Sequence, residues 1–493
     1  MKGRTAERRR RPKPVGVLDV GSNSIRLVVF EHDGRAPVPI FNEKVLCGLG
    51  RGVASTGRLD PVAMADAHRN LARFAEVARA MGVGRMTAVT TAAVREAANG
   101  KVFVDKVRRA TGIRLRILSG EEEARTSALG VLSGNPDADG VMGDLGGASL
   151  ELVDIAGGKT HAQVTLPLGP LALSELAGGT LKRARAVVAK HLTAVPWLDR
   201  LQGRDLYLVG GSWRALARVH MAMTDYPLKV IHAYTLEAQA ARAFLQRLPR
   251  LGKAQLKRIP GVTRRVDALL WAALPLAEVI RLGRPRRLVF SSYGLREGCL
   301  FAQLSPGERR RDPLIAHAEE LASRQARFAP NPDEVLAWVA PILPKAFPDR
   351  LARAAVLLGD IGWQDHPDYR AEHAFWRILR LPAVAIEHRE RALLALTDHV
   401  RYHGHIEGGL AASVRRLLAP GDAEAALTLG LALRLAYTVA GGDSGALADI
   451  RLAVEGRTLT LRLRGERRAL AGDVVRRRLD ALAAALKKRS YIK

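Results

Sequence analysis

The earliest clear pattern along the chain is an apolar run, a carboxylate, a set of small residues and a second apolar run. Residues 15–31 read VGVLDVGSNSIRLVVFE. The two apolar runs predict two strands, yet Gly21-Ser22-Asn23-Ser24 is longer than the two residues a tight hairpin needs. Such a loop offers backbone N–H groups and short hydroxyls that can wrap a phosphate, with Asp19 beside them to hold a cation. The pattern recurs in VMGDLGGASLELVDIAGG, which aligns without a gap at an offset of 125, setting Asp19 on Asp144, Gly21 on Gly146 and Ser24 on Ser149. Two such strand–loop–strand units predict two related domains presenting phosphate loops to a shared cleft.

Around these units, strand patterns alternate with helix patterns. Apolar residues at helical spacing predict a helix through PVAMADAHRNLARFAEVARAMG, ending near Gly82. RMTAVTTAAVREAANG predicts a strand, a loop and a helix that stops at Gly100. IRLRILSGEEEARTSALGVL predicts a strand to Ser119-Gly120 and then a helix. Its first turn holds Glu121, Glu122 and Glu123, where the helix dipole favours negative charge. The alternation predicts one α/β domain over 15–140 and another over 141–303. In the second, a strand meets Gly210-Gly211-Ser212 and opens a helix, a generic anion-binding arrangement. SPGERRRDP marks a linker over 304–313. Residues 314–493 read as mostly helical, closed by a β-hairpin turning at Glu455-Gly456 and a final basic helix over 473–488.

Composition narrows the function classes. The chain has 493 residues, 48% of them hydrophobic, enough for several cores. No stretch approaches the roughly 18 uninterrupted apolar residues of a membrane span. The start, 1–14, is a basic tail expected to be disordered, and no apolar segment follows it to make a secretory signal. Cys47 and Cys299 form neither a metal spacing nor a disulfide framework, so a cytoplasmic setting is expected. Lys and Arg number 77 against 49 acids, a net charge of +28, which favours a polyanionic partner. Aromatic residues are only 5% and do not interleave with the basic ones, which weighs against nucleic acid.

The segments DVGSNSIRLVV, TAAVREAANG, ILSGEEEAR, GDLGGASLELV and YGLREG, in that order, resemble the motifs of the exopolyphosphatase and guanosine pentaphosphate phosphohydrolase family. That family lies in the sugar kinase, heat-shock protein and actin superfamily. The resemblance covers 15–303 and continues more weakly beyond. It implies two duplicated ribonuclease-H-like (actin-like) α/β domains with a central cleft, followed by a mostly α-helical, HD-like region. It also implies an exopolyphosphatase releasing terminal orthophosphate from inorganic polyphosphate by metal-assisted attack of water. The alternatives are a guanosine pentaphosphate (pppGpp) phosphohydrolase and a non-catalytic relative that binds polyanions or nucleic acid. The helical end resembles parts that support a homodimer.

Carried over residue by residue, the resemblance makes Gly21, Ser22, Asn23 and Ser24 the phosphate clamp of the first loop, and Gly146, Gly147 and Ser149 that of the second. Arg95 matches an arginine that reaches the phosphate. A magnesium ion is placed near Asp144 and Glu151, with Asp19 helping from the other domain; potassium is a further candidate cofactor. Glu123 matches the water-activating base, with Glu121 and Glu122 as rivals. Trp213 is expected to fill the space where superfamily relatives bind adenosine, and Arg265 and Asp267 resemble a structural pair. Two departures stand out. Ala148 and Leu150 replace a glycine and a threonine of the second loop, and alanine is tolerated there only where φ is negative. Gly359-Asp360 lacks the histidine of the His-Asp metal pair. The nearby His366, His373, His388, His399, His403 and His405 are read as remnants of a retired site serving structure, dimer contacts or the polyanion path.

Overall fold

The structure, a computed structural model, describes residues 13–327, 331–344, 347–441 and 444–493. Apart from its last two residues, the basic tail expected over 1–14 lies outside these. The described residues divide into two compact units between Arg310 and Arg311.

The first unit holds two sheets built to one plan. Strands β1 (Val15–Val20), β2 (Ser24–Phe30), β3 (Pro39–Leu46), β4 (Arg85–Thr90) and β5 (Arg116–Ile117) take the order β3-β2-β1-β4-β5. Strands β6 (Gly140–Leu145), β7 (Leu150–Ala156), β8 (Lys159–Leu166), β9 (Asp205–Val209), β10 (Tyr234–Glu237) and β11 (Arg287–Phe290) take the order β10-β11-β9-β6-β7-β8. Each sheet begins with an antiparallel meander and continues through parallel strands. The second adds β10 as an antiparallel edge. Parallel neighbours need a crossover, which is why helices separate them in sequence. The duplication reaches single bonds. The Gly21 N–H donates to the Ser24 carbonyl at 3.0 Å, and the Gly146 N–H donates to that of Ser149 at 2.9 Å.

Both lobes are held by apolar strand faces packed against helices. In the first, Leu18, Val20, Ile25 and Leu27 meet Leu71 and Phe74 of the helix Pro61–Ala80 and Phe103 of the helix Gly100–Thr111. The Asp60 side chain accepts from the Ala63 N–H to start the helix Pro61–Ala80, with Pro61 at its first position. Gly100 begins a helix rather than ending one, correcting the sequence reading. The chain passes so close that a Cβ on Gly100 would lie 2.0 Å from the Val94 carbonyl oxygen, so the glycine marks a close approach and not a stop. In the second lobe, Leu145, Leu150, Leu206, Leu208 and Trp213 pack with the helix Val266–Gly283.

The second unit is mostly helical. Its helix His388–His403 packs against both Arg370–Leu379 and Asp422–Val439. The hairpin predicted at its end is there, as β12 (Ile450–Glu455) and β13 (Thr458–Leu463), but it is part of a three-stranded sheet. The last helix stops at Ala485, and β14 (Arg489–Ile492) lies parallel to β13. That helix supplies the crossover a parallel pair requires. A side chain at position 359 would crowd the Tyr437 hydroxyl, 2.9 Å from a Cβ placed there, and would require that ring to shift. Asp360 is buried and accepts from Arg401 at 2.6 Å and from Arg327 at 3.0 Å.

Candidate active site

A cleft of about 210 Å³ opens in the first unit between the β1–β2 and β6–β7 loops. The loops touch: a Cβ on Gly147 would lie 3.3 Å from that of Ser22 and 3.4 Å from that of Asn23. Gly21, Ser22, Asn23 and Ser24 line the cleft from one side, and Gly146, Gly147 and Ser149 from the other. Within each loop the glycine N–H at Gly21 or Gly146 closes the turn onto the carbonyl of Ser24 or Ser149. Ala148 does not take a positive φ, so its methyl group is tolerated. Its carbonyl is fixed by the Gly169 N–H at 3.1 Å. Leu150 is buried in the core of its lobe, a place where threonine would gain nothing from its hydroxyl.

Strand register sets the charges. Asp144 sits directly opposite Glu151 on β6 and β7, and opposed residues share a sheet face. At the matching positions of β1 and β2, Asp19 faces Arg26, and Arg26 in turn faces Lys44 on β3. One lobe therefore offers two acids and the other an acid followed by two cations. A third acid, Glu123, arrives from the helix Gly120–Gly134. That helix starts with a capping box in which Ser119 and Glu122 satisfy each other's backbone amides. Glu122 is thereby committed to the helix start and Glu121 lies exposed, leaving Glu123 as the glutamate of this turn that lines the cleft.

The acids strain one another. Burial pushes Glu123 up to about 7, against the pull of Arg95, with Asp144 and Asp19 adding to the rise. Burial raises Asp144 as well, although Ser127 donates to it at 2.5 Å and stabilises the anion. Glu151 lies well above the usual carboxylate range because it is 1% exposed and faces both Glu123 and Asp144. Its Oε1 is buried without a hydrogen-bond partner. A cluster of oxygen donors with one orphaned atom fits a hard divalent cation, which would relieve the repulsion and occupy the free oxygen. Asp144 and Glu151 could hold it. Asp19 is engaged differently, by Arg296 at 2.9 Å.

Arg95 stands behind Glu123 rather than on the cleft wall. It donates to the Glu123 carboxylate and to the Leu118 carbonyl, each at 3.0 Å. Two readings from sequence are corrected. Trp213 does not fill the cleft: it is fully buried behind β6, where Gly143 leaves room for its ring, and its Nε1 donates to the Ala272 carbonyl at 2.9 Å. Arg265 and Asp267 are not a pair. Asp267 bonds Lys253 at the surface, while Arg265 turns into the cleft over Gly211 and Ser212.

Sequence reasoning also missed the positive wall made by Arg26, Lys44, Arg214, Arg265 and Arg296. Lys44 is exposed at the edge of the cleft, yet desolvation by the protein around it and the four neighbouring arginines pull it down to about 7, and burial with Arg296 brings Arg214 to about 10. Cations crowded to this degree without enough acids are arranged for an anion. Arg26 and Lys44 were traceable from strand register. Ser127 and Arg214 carried no signal beyond their residue type, and Arg265 was read as the partner of Asp267.

Two duplicated α/β lobes, paired anion loops and an acid cluster between them define a phosphate-handling enzyme of the actin-like superfamily. The chain matches the Ppx/GppA phosphatase family over residues 28–306 and the exopolyphosphatase C-terminal family over 314–492. It belongs to the Ppx/GppA phosphatase family. It is similar to Exopolyphosphatase 1 of Mycobacterium tuberculosis, 28% identical over 311 residues, 59% of this chain and 88% of that one. Exopolyphosphatase 1 of Mycobacterium leprae is 34% identical over 158 residues, 31% of this chain, and the match spans 47% of that protein. The fold is shared with a solved exopolyphosphatase from Cytophaga hutchinsonii, at TM-score 0.54 and 22% identity over 59% of this chain and 97% of that one.

Proposed function

We propose that the protein is an exopolyphosphatase, removing the terminal phosphate of inorganic polyphosphate by attack of water. The observation that carries this reading is the arrangement of charge: an acid cluster at the junction of the two loops, in a cleft lined also by cationic side chains. A long polyanion needs cations along its path, whereas one phosphate needs only the loops. Membership of the family and the named relatives support the same substrate class.

In this reading the amides and hydroxyls of Ser22–Ser24 and Gly147–Ser149 grip the terminal phosphoryl oxygens. Glu123 orients a water molecule and takes its proton as the oxygen bonds to phosphorus. The bond from that phosphorus to the bridging oxygen then breaks, and the shortened chain leaves along the cationic wall. Arg95 holds Glu123 in its working orientation. Asp144 and Glu151 would hold a magnesium ion, which supplies neutralisation of phosphoryl charge when bound. A potassium ion, a homodimer and a cytoplasmic setting belong to the same proposal; among the described residues no helix is long and apolar enough to cross a membrane.

The test is release of orthophosphate from long-chain polyphosphate with and without magnesium, run beside guanosine pentaphosphate. Higher kcat/KM on polyphosphate is expected. Preference for the nucleotide, or no release from either, would contradict the proposal.

A further inference from the structure

The C-terminal unit carries a second cluster of ligating side chains, apart from the phosphate cleft. His399 and His403 lie four residues apart on the helix His388–His403, a spacing that puts both rings on one face. The helix ends at Gly404, whose φ of 99° turns the chain back. Glu407, at the N-cap position of the next helix Gly408–Val414 but making no side-chain capping bond, returns onto the first helix's last turn. Its Oε1 stands 3.4 Å from the His403 Nε2. One ligand atom from each of His399, His403 and Glu407 falls within 4.8 Å of the others.

A second observation points to a ligand. The His399 side chain is buried, at 1% exposure, and the Ala371 backbone can engage only one of its two ring nitrogens, neither of which has a partner of ordinary hydrogen-bond geometry. Buried polar groups are nearly always satisfied. An ion pair between a protonated His403 and Glu407 would explain their contact, but it would leave at least one buried His399 nitrogen without a partner and set a positive charge beside its ring, 5.2 Å between centroids.

We propose that His399, His403 and Glu407 form a transition-metal site, with zinc as the ion the donors fit. Two imidazoles and one carboxylate suit zinc and its late first-row neighbours rather than magnesium. Ligands bonded at 2.0–2.1 Å in a tetrahedron lie roughly 3.3 Å apart, so the His403–Glu407 separation already matches and His399 needs a small adjustment. Three protein ligands leave a fourth position for water. The site is distinct from the His-Asp position expected from sequence, because Asp360 there is occupied by Arg327 and Arg401. Its role is to pin the end of the long helix to the loop that follows.

The experiment titrates zinc alone into the metal-stripped full chain against a chromogenic chelator. It is done in an Asp144→Asn/Glu151→Gln background, so that the acids of the phosphate cleft contribute nothing. One tight equivalent is expected there. His403→Gln or Glu407→Gln, both at partly exposed positions that the fold does not depend on, should weaken it by about 100-fold, at or beyond the upper range seen when only supporting groups are removed. Zinc should raise the unfolding temperature of the background protein and not that of either variant. Absence of the equivalent overturns the proposal, and so does an equivalent that survives both substitutions.

Discussion

Arg95 donates to the Glu123 carboxylate and to the Leu118 carbonyl at the same distance, 3.0 Å. It therefore ties the acid to the segment just ahead of that acid's own helix. Such a guanidinium acts through its partner. Arg95→Ala should lower kcat by about 100-fold, the scale of a misplaced catalytic group, with KM little changed. In a double-mutant cycle, adding Arg95→Ala to Glu123→Gln should cost far less than it does alone. Full additivity, or a large rise in KM, would mean that Arg95 works on the substrate directly.

The orphaned oxygen of Glu151 and its repulsion by Glu123 and Asp144 make a cation the natural occupant of this corner. Chelation should abolish phosphate release, and magnesium should restore it. Glu151→Gln removes a charge buried among like charges. The metal-free variant should unfold at the same or a higher temperature than the metal-free parent, while needing more magnesium for activity. Lower stability together with an unchanged magnesium requirement would contradict the assignment.

Lys44 gives the cleft a pH response. Desolvation in the cleft and the neighbouring arginines pull it down to about 7. Above that pH the folded protein has lost this cation while an unfolded chain keeps it, so its effect on stability improves as pH rises from about 7 towards the usual lysine range. Binding runs the other way. KM for polyphosphate should rise between pH 7 and 9, and added salt should raise it further. Lys44→Arg, charged throughout this range, should flatten the pH dependence, which steady-state kinetics at constant ionic strength will read.

In the C-terminal unit, Asp360 compensates the buried guanidinium of Arg401. Asp360→Ala removes the carboxylate hydrogen-bonded to that charge, leaving Asp398 as the nearby acid, and should destabilise the unit by about 3 kcal/mol, the lower end for breaking a buried pair. Denaturant unfolding followed at the tryptophans of that unit, Trp338, Trp363 and Trp376, measures this directly. A change under 1 kcal/mol would show that water replaces the carboxylate at little cost.

The repeat of Asp-x-Gly-x-x-Ser carried most of the fold, because a gapless offset forces two strand pairs into one register. The same register held more than was taken from it. Placing Asp144 opposite Glu151 also places Asp19 opposite Arg26 and Arg26 opposite Lys44, so two residues of the cationic wall were within reach. Trp213 was misjudged because one residue's rotation on a helix decides between cleft and core. Only coordinates reveal that Gly143 opens a slot for the indole. Arg265 was hidden for a similar reason: its neighbour Asp267 suggested a pair, while the short turn before the helix Val266–Gly283 sends the two side chains apart. Gly100 misled because a glycine needed for close approach looks the same in sequence as one that ends a helix.

The most direct test is orthophosphate release from long-chain polyphosphate at saturating magnesium, comparing the wild type with Glu123→Gln. The account predicts sustained release by the wild type and a loss of about 10²–10⁴-fold in kcat for the variant, the usual contribution of a general base, with polyphosphate still bound. A variant turning over near the wild-type rate, or a wild type that releases no phosphate, would contradict it.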